Sequence, residues 1–160
     1  MRLVVADTSP VFYLLSIDHI DLLPQLFGKI FVPDAVSQEL CHPAAPALIR
    51  EWAARLPAWV EVISVEPLDD PSLLPLGEGE REAIMLAISM HADLILIDER
   101  KGTHVALDKG FAVAGTLGVL ALPARRGLVD LAHAFARLKR TNFRYRQAIM
   151  DALLDRNSRD

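Results

Sequence analysis

Carboxylates follow two apolar segments of the chain, at the positions where buried strands would end. Residues 3–6 (LVVA) precede Asp7, and residues 94–97 (LILI) precede Asp98. Burying a lone carboxylate is costly unless a cation or hydrogen-bond donors compensate its charge. Aspartate is also a favoured helix N-cap, so capping is the alternative explanation for both residues. Asp7 and Asp98 are therefore either ligands of a cation or caps of the helices that follow them.

Further acids lie on two predicted helices: Glu39 in AVSQEL, and Glu80 and Glu82 in the first turns of GEREAIMLA. Taken singly, such glutamates are typical of solvated helix positions or complement the helix dipole. Converging carboxylates instead raise one another's pKa. A divalent cation relieves that repulsion, and oxygen ligands favour Mg²⁺ or Mn²⁺. These acids predict a metal site if the fold brings the helices to the strand ends.

Apolar strand-like runs alternate with helical segments along the chain, which predicts a parallel sheet covered on both faces. In such folds ligands bind beyond the carboxyl ends of the strands. The predicted strands are 2–6, 29–33, 59–65, 93–98 and 111–115. The first predicted helix begins at Ser9-Pro10. Further helices are predicted at 20–27, after Pro33, at 45–58, 79–92 and 103–109, and after residue 115. Two C-terminal helices are predicted within 128–154, the second of which begins near Asn142.

The composition predicts a single globular domain over residues 1–160. The 160 residues are 52% hydrophobic and 24% charged, with a net charge of −4, as in ordinary soluble proteins. No run approaches the roughly 20 apolar residues of a membrane-spanning helix, and the first residues do not resemble a signal peptide. Cys41 is the single cysteine, so no internal disulfide is expected and a cytoplasmic location is predicted.

Several motifs together resemble the PIN-domain nucleases: ADTSP, VPDAVSQEL, GEREAIMLA and LILIDERKG. The later segment KGFAVAGTLGVLALPARRGLV is similar to a PIN subgroup described as predicted nucleic-acid-binding. The resemblance covers about residues 3–129 and implies a Rossmann-like three-layer α/β/α sandwich with a central, mostly parallel sheet. It also implies phosphodiester hydrolysis with Mg²⁺ or Mn²⁺. Many members are VapC-like toxin ribonucleases of toxin–antitoxin pairs, and many form dimers.

The resemblance places the catalytic acids at Asp7, Glu39, Glu82 and Asp98. Asp7, Glu82 and Asp98 would bind the metal, while Glu39 would hold a second ion or orient the attacking water. Glu99 is the alternative to Asp98. The chain departs from the family pattern at Glu82, where aspartate is usual, and at Leu96, where many members have threonine.

Substrate contacts are expected from the hydroxyls of Thr8 and Ser9, from Arg100 and Lys101, and from Thr116, because a nuclease must hold phosphates. The segment 139–146 (KRTNFRYR) interleaves basic and aromatic residues. Such a mixture suits a nucleic-acid groove with stacking platforms. It equally suits a turn whose Phe143 and Tyr145 pack on the body of the protein.

The sequence therefore predicts a metal-dependent ribonuclease acting on single-stranded or structured RNA, with an antitoxin partner and a homodimeric state. A PIN-fold binding module with weak or lost catalysis is the alternative. A phosphatase or nucleotide-binding domain is disfavoured because no phosphate-loop motif is present. Residues 11–23 are apolar enough to form either a partner surface or part of the core.

Overall fold

Five short parallel strands form one sheet in the computed structural model, which describes residues 2–159. They are β1 (Val4–Ala6), β2 (Ile30–Pro33), β3 (Val60–Ile63), β4 (Leu94–Leu96) and β5 (Val113–Ala114), in the spatial order β3-β2-β1-β4-β5. Helices cover the sheet, so the predicted α/β sandwich with a parallel sheet is confirmed. The outermost residues of the domain predicted over 1–160, Met1 and Asp160, lie outside the described residues.

The helices largely follow the predicted segments, and Pro71–Leu73 forms a short 3₁₀ turn. Several helix starts differ from the prediction by a few residues. The helix Arg100–Asp108 (α6) begins at Arg100 instead of 103, because the Glu99 carboxylate caps it. The helix Gln147–Arg159 (α9) begins at Gln147 instead of near Asn142. No helix between residues 2 and 159 is both long and apolar enough to span a membrane. The helices are α1 (Thr8–Ser16), α2 (Leu22–Phe27), α3 (Asp34–Leu40), α4 (Ala47–Ala54), α5 (Glu78–Met90), α6 (Arg100–Asp108), α7 (Thr116–Ala124), α8 (Leu131–Lys139) and α9 (Gln147–Arg159).

The core has two parts, one on each face of the sheet, because successive strand residues point to opposite faces. Val4 and Ala6 pack with α1, α7 and α8, whereas Val5 packs with α5 and α6. The apolar segment 11–23 belongs to the first part, with Leu14 and Leu23 fully buried. Most apolar side chains of this segment therefore belong to the core, while Phe12 and Tyr13 are only partly buried.

Candidate active site

Asp7 lies at the carboxyl end of β1, beside the end of β4. It occupies the N-cap position of α1, but its side chain makes no capping hydrogen bond. The residue is 2% exposed, and its Oδ1 atom has no hydrogen-bond partner among the described residues. Buried carboxylate oxygens are normally satisfied by donors or by a cation. Helix capping therefore does not explain the burial of Asp7.

The surroundings of Asp7 oppose its negative charge. Its carboxyl pKa is raised from 3.8 to about 7; burial is the largest cause, and the charge of Glu80 is the next. The nearby Thr8 amide lowers the pKa, whereas Glu39 and Asp98 again raise it. Three acids thus act on one buried carboxylate, an arrangement that a bound cation would stabilise.

Asp98 follows β4 and is held by three hydrogen bonds. Its Oδ1 accepts from the Thr116 amide at 2.8 Å, and its Oδ2 accepts from the hydroxyls of Thr116 at 2.6 Å and Ser9 at 2.9 Å. Gly115 allows this approach, because a Cβ atom there would lie 2.5 Å from Asp98 Oδ1. Thr116 is fully buried. It therefore positions Asp98, which differs from the direct substrate contact that we predicted for it.

Glu39 lies near the end of α3 and is brought to Asp7 by two small residues. The Thr8 hydroxyl donates to Glu39 Oε2 at 2.7 Å. Gly79, in the first turn of α5, faces both acids: a Cβ atom there would lie 2.6 Å from Glu39 Oε1 and 3.2 Å from Asp7 Oδ1. α5 can approach the carboxylates this closely because residue 79 has no side chain.

The structure places Glu80, not Glu82, beside Asp7. Glu80 lines the cleft formed by Asp7 and Glu39. Glu82 Oε1 instead accepts the Ala35 amide at 3.0 Å, at the beginning of α3. Two helix residues two positions apart differ in direction by about 200°, so the two glutamates serve different neighbours. The family pattern predicts Glu82 as the third acid, whereas Glu80 is the one that lines the cleft with Asp7.

The other residues predicted for the site divide between the cleft and its surroundings. Glu99 accepts the amides of Lys101 at 3.0 Å and Gly102 at 2.6 Å, and so caps α6. Arg100 is exposed and lines the cleft beside Asp98. Lys101 faces a separate, mostly apolar groove between the 3₁₀ turn and α6. Of the two predicted basic residues, Arg100 is therefore the one near the acids.

One wall of the cleft was not predicted. The Tyr13 hydroxyl on α1 donates to Asn142 Oδ1 at 2.7 Å, and Arg144 lies beside them. Burial raises the pKa of Tyr13, the charge of Asp98 adds to the rise, and Arg144 opposes it. The mixture of basic and aromatic residues in 139–146 was the sequence signal for this wall. The packing interpretation of that segment holds for Phe143, which is buried, but not for Tyr145, which is exposed.

The donor set suits Mg²⁺ or Mn²⁺. Within residues 2–159 no three Asp, Glu, His or Cys side chains stand close enough to form a ready-made coordination shell. Mg²⁺ commonly takes only one or two protein carboxylates and keeps several waters. The unpartnered Oδ1 of Asp7 supplies one such oxygen, with Glu39, Glu80 and Asp98 around it. These four residues fit a hydrated divalent ion.

Residues 3–159 match the model of a protein family, DUF3368, that is described as a PIN domain. A comparison with curated protein sequences gives no match. Since the family match extends over nearly the whole sequence, the chain belongs to the PIN-domain family, as its motifs predict. PIN domains are generally nucleases that use divalent metals, so membership indicates a nuclease-type function and nucleic-acid binding. The match does not single out the VapC-like toxins.

The raised pKa of Asp7 predicts that stability falls with increasing pH when no divalent ion is present. Between pH 3.8 and about 7 the folded state holds a proton on Asp7 that the unfolded state has lost. The free energy of unfolding therefore decreases across this range, with a slope of roughly 1.4 kcal/mol per pH unit. Urea denaturation in EDTA at pH 4 and pH 8 measures the change.

Asp7→Asn should remove most of this decrease, because asparagine has no proton to lose. Asp69→Asn, at an exposed position, is the matched control and should keep the wild-type dependence. The same pH dependence in wild type and Asp7→Asn would contradict the unfavourable environment assigned to Asp7.

Proposed function

We propose that the protein is a metal-dependent ribonuclease that hydrolyses phosphodiester bonds in RNA. The observation that carries this proposal is the buried Asp7 oxygen without a partner, surrounded by Glu39, Glu80 and Asp98 at the carboxyl edge of a PIN-domain sheet. Bringing these acids together lowers the stability of the folded chain. The arrangement therefore argues for a functional role.

Asp7 would be the central ligand of Mg²⁺ or Mn²⁺, with Asp98 and Glu80 binding directly or through water. When bound, the ion would lower the pKa of a coordinated water and offset negative charge on the phosphate. Thr116 and Ser9 fix the Asp98 carboxylate before substrate arrives, which limits reorganisation during the reaction.

Glu39 is the candidate for orienting the attacking water or for holding a second ion. The Thr8 hydroxyl engages its Oε2, while its Oε1 faces Gly79 on the side of Asp7. The residue is exposed at the cleft, so water can reach it. A carboxylate that is oriented by one hydrogen bond and open to water suits a general base.

Glu80 replaces Glu82 in this proposal as the third acid. Its charge acts on Asp7, and it lines the cleft on the sides of both Glu39 and Asp98. Glu82 is instead a positioning residue, because its bond to the Ala35 amide fixes α5 against α3. The two helices that this bond joins carry Gly79, Glu80 and Glu39.

A PIN-fold module that binds nucleic acid with weak or lost catalysis is the second candidate. The departures from the family pattern at Glu82 and Leu96 favour it. The cleavage assay below separates the two candidates, since a binding module would hold RNA without cutting it.

The proposal predicts Mn²⁺- or Mg²⁺-dependent cleavage of a mixed RNA pool. Asp7→Asn and Glu80→Gln should each lower the cleavage rate by on the order of 100-fold or more, because each removes a charged oxygen from the ion. Gel analysis of end-labelled RNA with and without EDTA measures the rate.

Glu82→Gln is the matched control for Glu80→Gln, since it removes the same charge yet keeps an oxygen to accept the Ala35 amide. It should retain cleavage. Loss of cleavage in Glu82→Gln but not in Glu80→Gln would reverse our assignment of the third acid. Metal-independent cutting, or none with RNA still bound, would contradict the nuclease proposal.

We extend the proposal to a cytoplasmic toxin that acts as a homodimer and is neutralised by an antitoxin. Expression should then arrest bacterial growth, Asp7→Asn should not, and coexpression of a small protein encoded beside the chain should restore growth. Light scattering of the purified chain tests the dimer. Growth arrest that persists in Asp7→Asn would contradict toxicity through cleavage.

A further inference from the structure

A groove leads away from the acidic cleft along the C-terminal part of the chain. We call it the C-terminal groove; it encloses about 510 Å³, and its lining includes Asp98, Arg100, Leu117, Arg144, Tyr145 and Ile149. Asp98 belongs to both the cleft and the groove. A ligand in the groove therefore adjoins the metal-binding acids.

The wall that carries Arg144 and Tyr145 is anchored to the active-site helix. Phe143 is buried and packs edge-on against the Tyr13 ring, with centroids 5.0 Å apart. The adjacent Asn142 accepts the Tyr13 hydroxyl at 2.7 Å. Because Tyr13 lies on α1, which begins directly after Asp7, this wall has a fixed position relative to the acids.

The groove contains the three kinds of group that bind a nucleotide: cations, apolar surface and an aromatic ring. Arg100, Arg144 and Arg146 supply cations for phosphate. Leu117 and Ile149 provide apolar surface for a base. Tyr145 is 41% exposed, and Lys139 Nζ lies 5.6 Å from its ring centroid. Lys139 thus lies over one face of the ring, and Tyr145 also lines the groove. Stacking is the interaction by which aromatic residues bind unpaired bases.

We propose that the C-terminal groove is a subsite for the nucleotide next to the scissile phosphate. Tyr145 stacks on its base, and Arg144 binds its phosphate. The inference rests on the proposed nuclease function and adds a source of substrate selection. A base inside a duplex is paired and stacked, so it cannot enter the groove. The groove therefore selects single-stranded RNA.

The arginines offset a charge problem that the cleft itself creates. Four carboxylates repel a polyanion, and the protein as a whole carries a net charge of −4. Phosphate binding consequently depends on local cations and on the bound ion. Arg100 and Arg144 line both the cleft and the groove, so they can guide the backbone from one to the other.

The test measures RNA binding in an Asp7→Asn background, so that cleavage does not consume the probe. Fluorescence anisotropy with a short labelled single-stranded RNA and Mg²⁺ gives the Kd. Tyr145→Ala should weaken binding by about 5- to 100-fold, the range expected for one lost stacking contact. Tyr145→Phe keeps the ring and should bind as the parent does.

Two controls separate base from phosphate contacts. An oligonucleotide of abasic nucleotides should bind Tyr145→Ala and its parent equally, because no base remains to stack. Arg144→Ala should weaken binding to both probes and reduce the slope of log K against log salt by about 0.7, the value for one phosphate contact on a single strand. Arg55→Ala removes the same charge from an exposed position after α4 and should leave binding unchanged.

The outcomes distinguish the subsite from the nuclease proposal. If wild type does not cut RNA but Tyr145→Ala still loses binding, the C-terminal groove binds unpaired RNA while the proposed nuclease function, and with it the position beside a scissile phosphate, fails. If wild type cuts RNA and neither Tyr145→Ala nor Arg144→Ala alters binding, the subsite is wrong. Equal competition by duplex and single-stranded RNA would also overturn it, as would a groove that binds only a protein partner.

Discussion

The site depends on the unfavourable environment of the buried Asp7 carboxylate. One of its oxygens has no partner among the described residues, and three further acids surround it. A charge in that position destabilises the folded chain unless it is protonated or paired with a cation. Several neighbouring features allow the acids to converge. Gly79 and Gly115 leave room for carboxylate oxygens, while Thr8, Ser9 and Thr116 donate hydrogen bonds to the acids around Asp7. Keeping these acids together therefore lowers the stability of the folded chain.

The positions of Asp7 and Asp98 follow from features visible in the sequence. Each succeeds a short apolar run, and parallel strands end at the same edge of a sheet. The choice between Glu80 and Glu82 does not follow from local pattern, because both lie in the first two turns of one helix. It depends on how α5 packs against α3, where the Ala35 amide takes Glu82 as its acceptor.

Contacts between distant segments were equally inaccessible to sequence reasoning. Tyr13 and Asn142 are 129 residues apart, yet their hydrogen bond builds one wall of the cleft. The sequence marked 139–146 as unusual through its basic and aromatic residues. It did not indicate that Phe143 would be buried while Arg144 and Tyr145 remained exposed, because burial within an irregular segment has no periodicity. In our proposal the acids carry out the hydrolysis, and this wall provides a surface that holds the substrate beside them.

The central claim is that Asp7 binds a divalent ion. The most direct measurement is a calorimetric titration of Mn²⁺ into wild type and into Asp7→Asn, at a pH above 7 so that the Asp7 carboxyl is largely ionised. Our account predicts saturable binding to wild type that is lost in Asp7→Asn, although that variant folds. Equal Mn²⁺ affinity in the two proteins would contradict it.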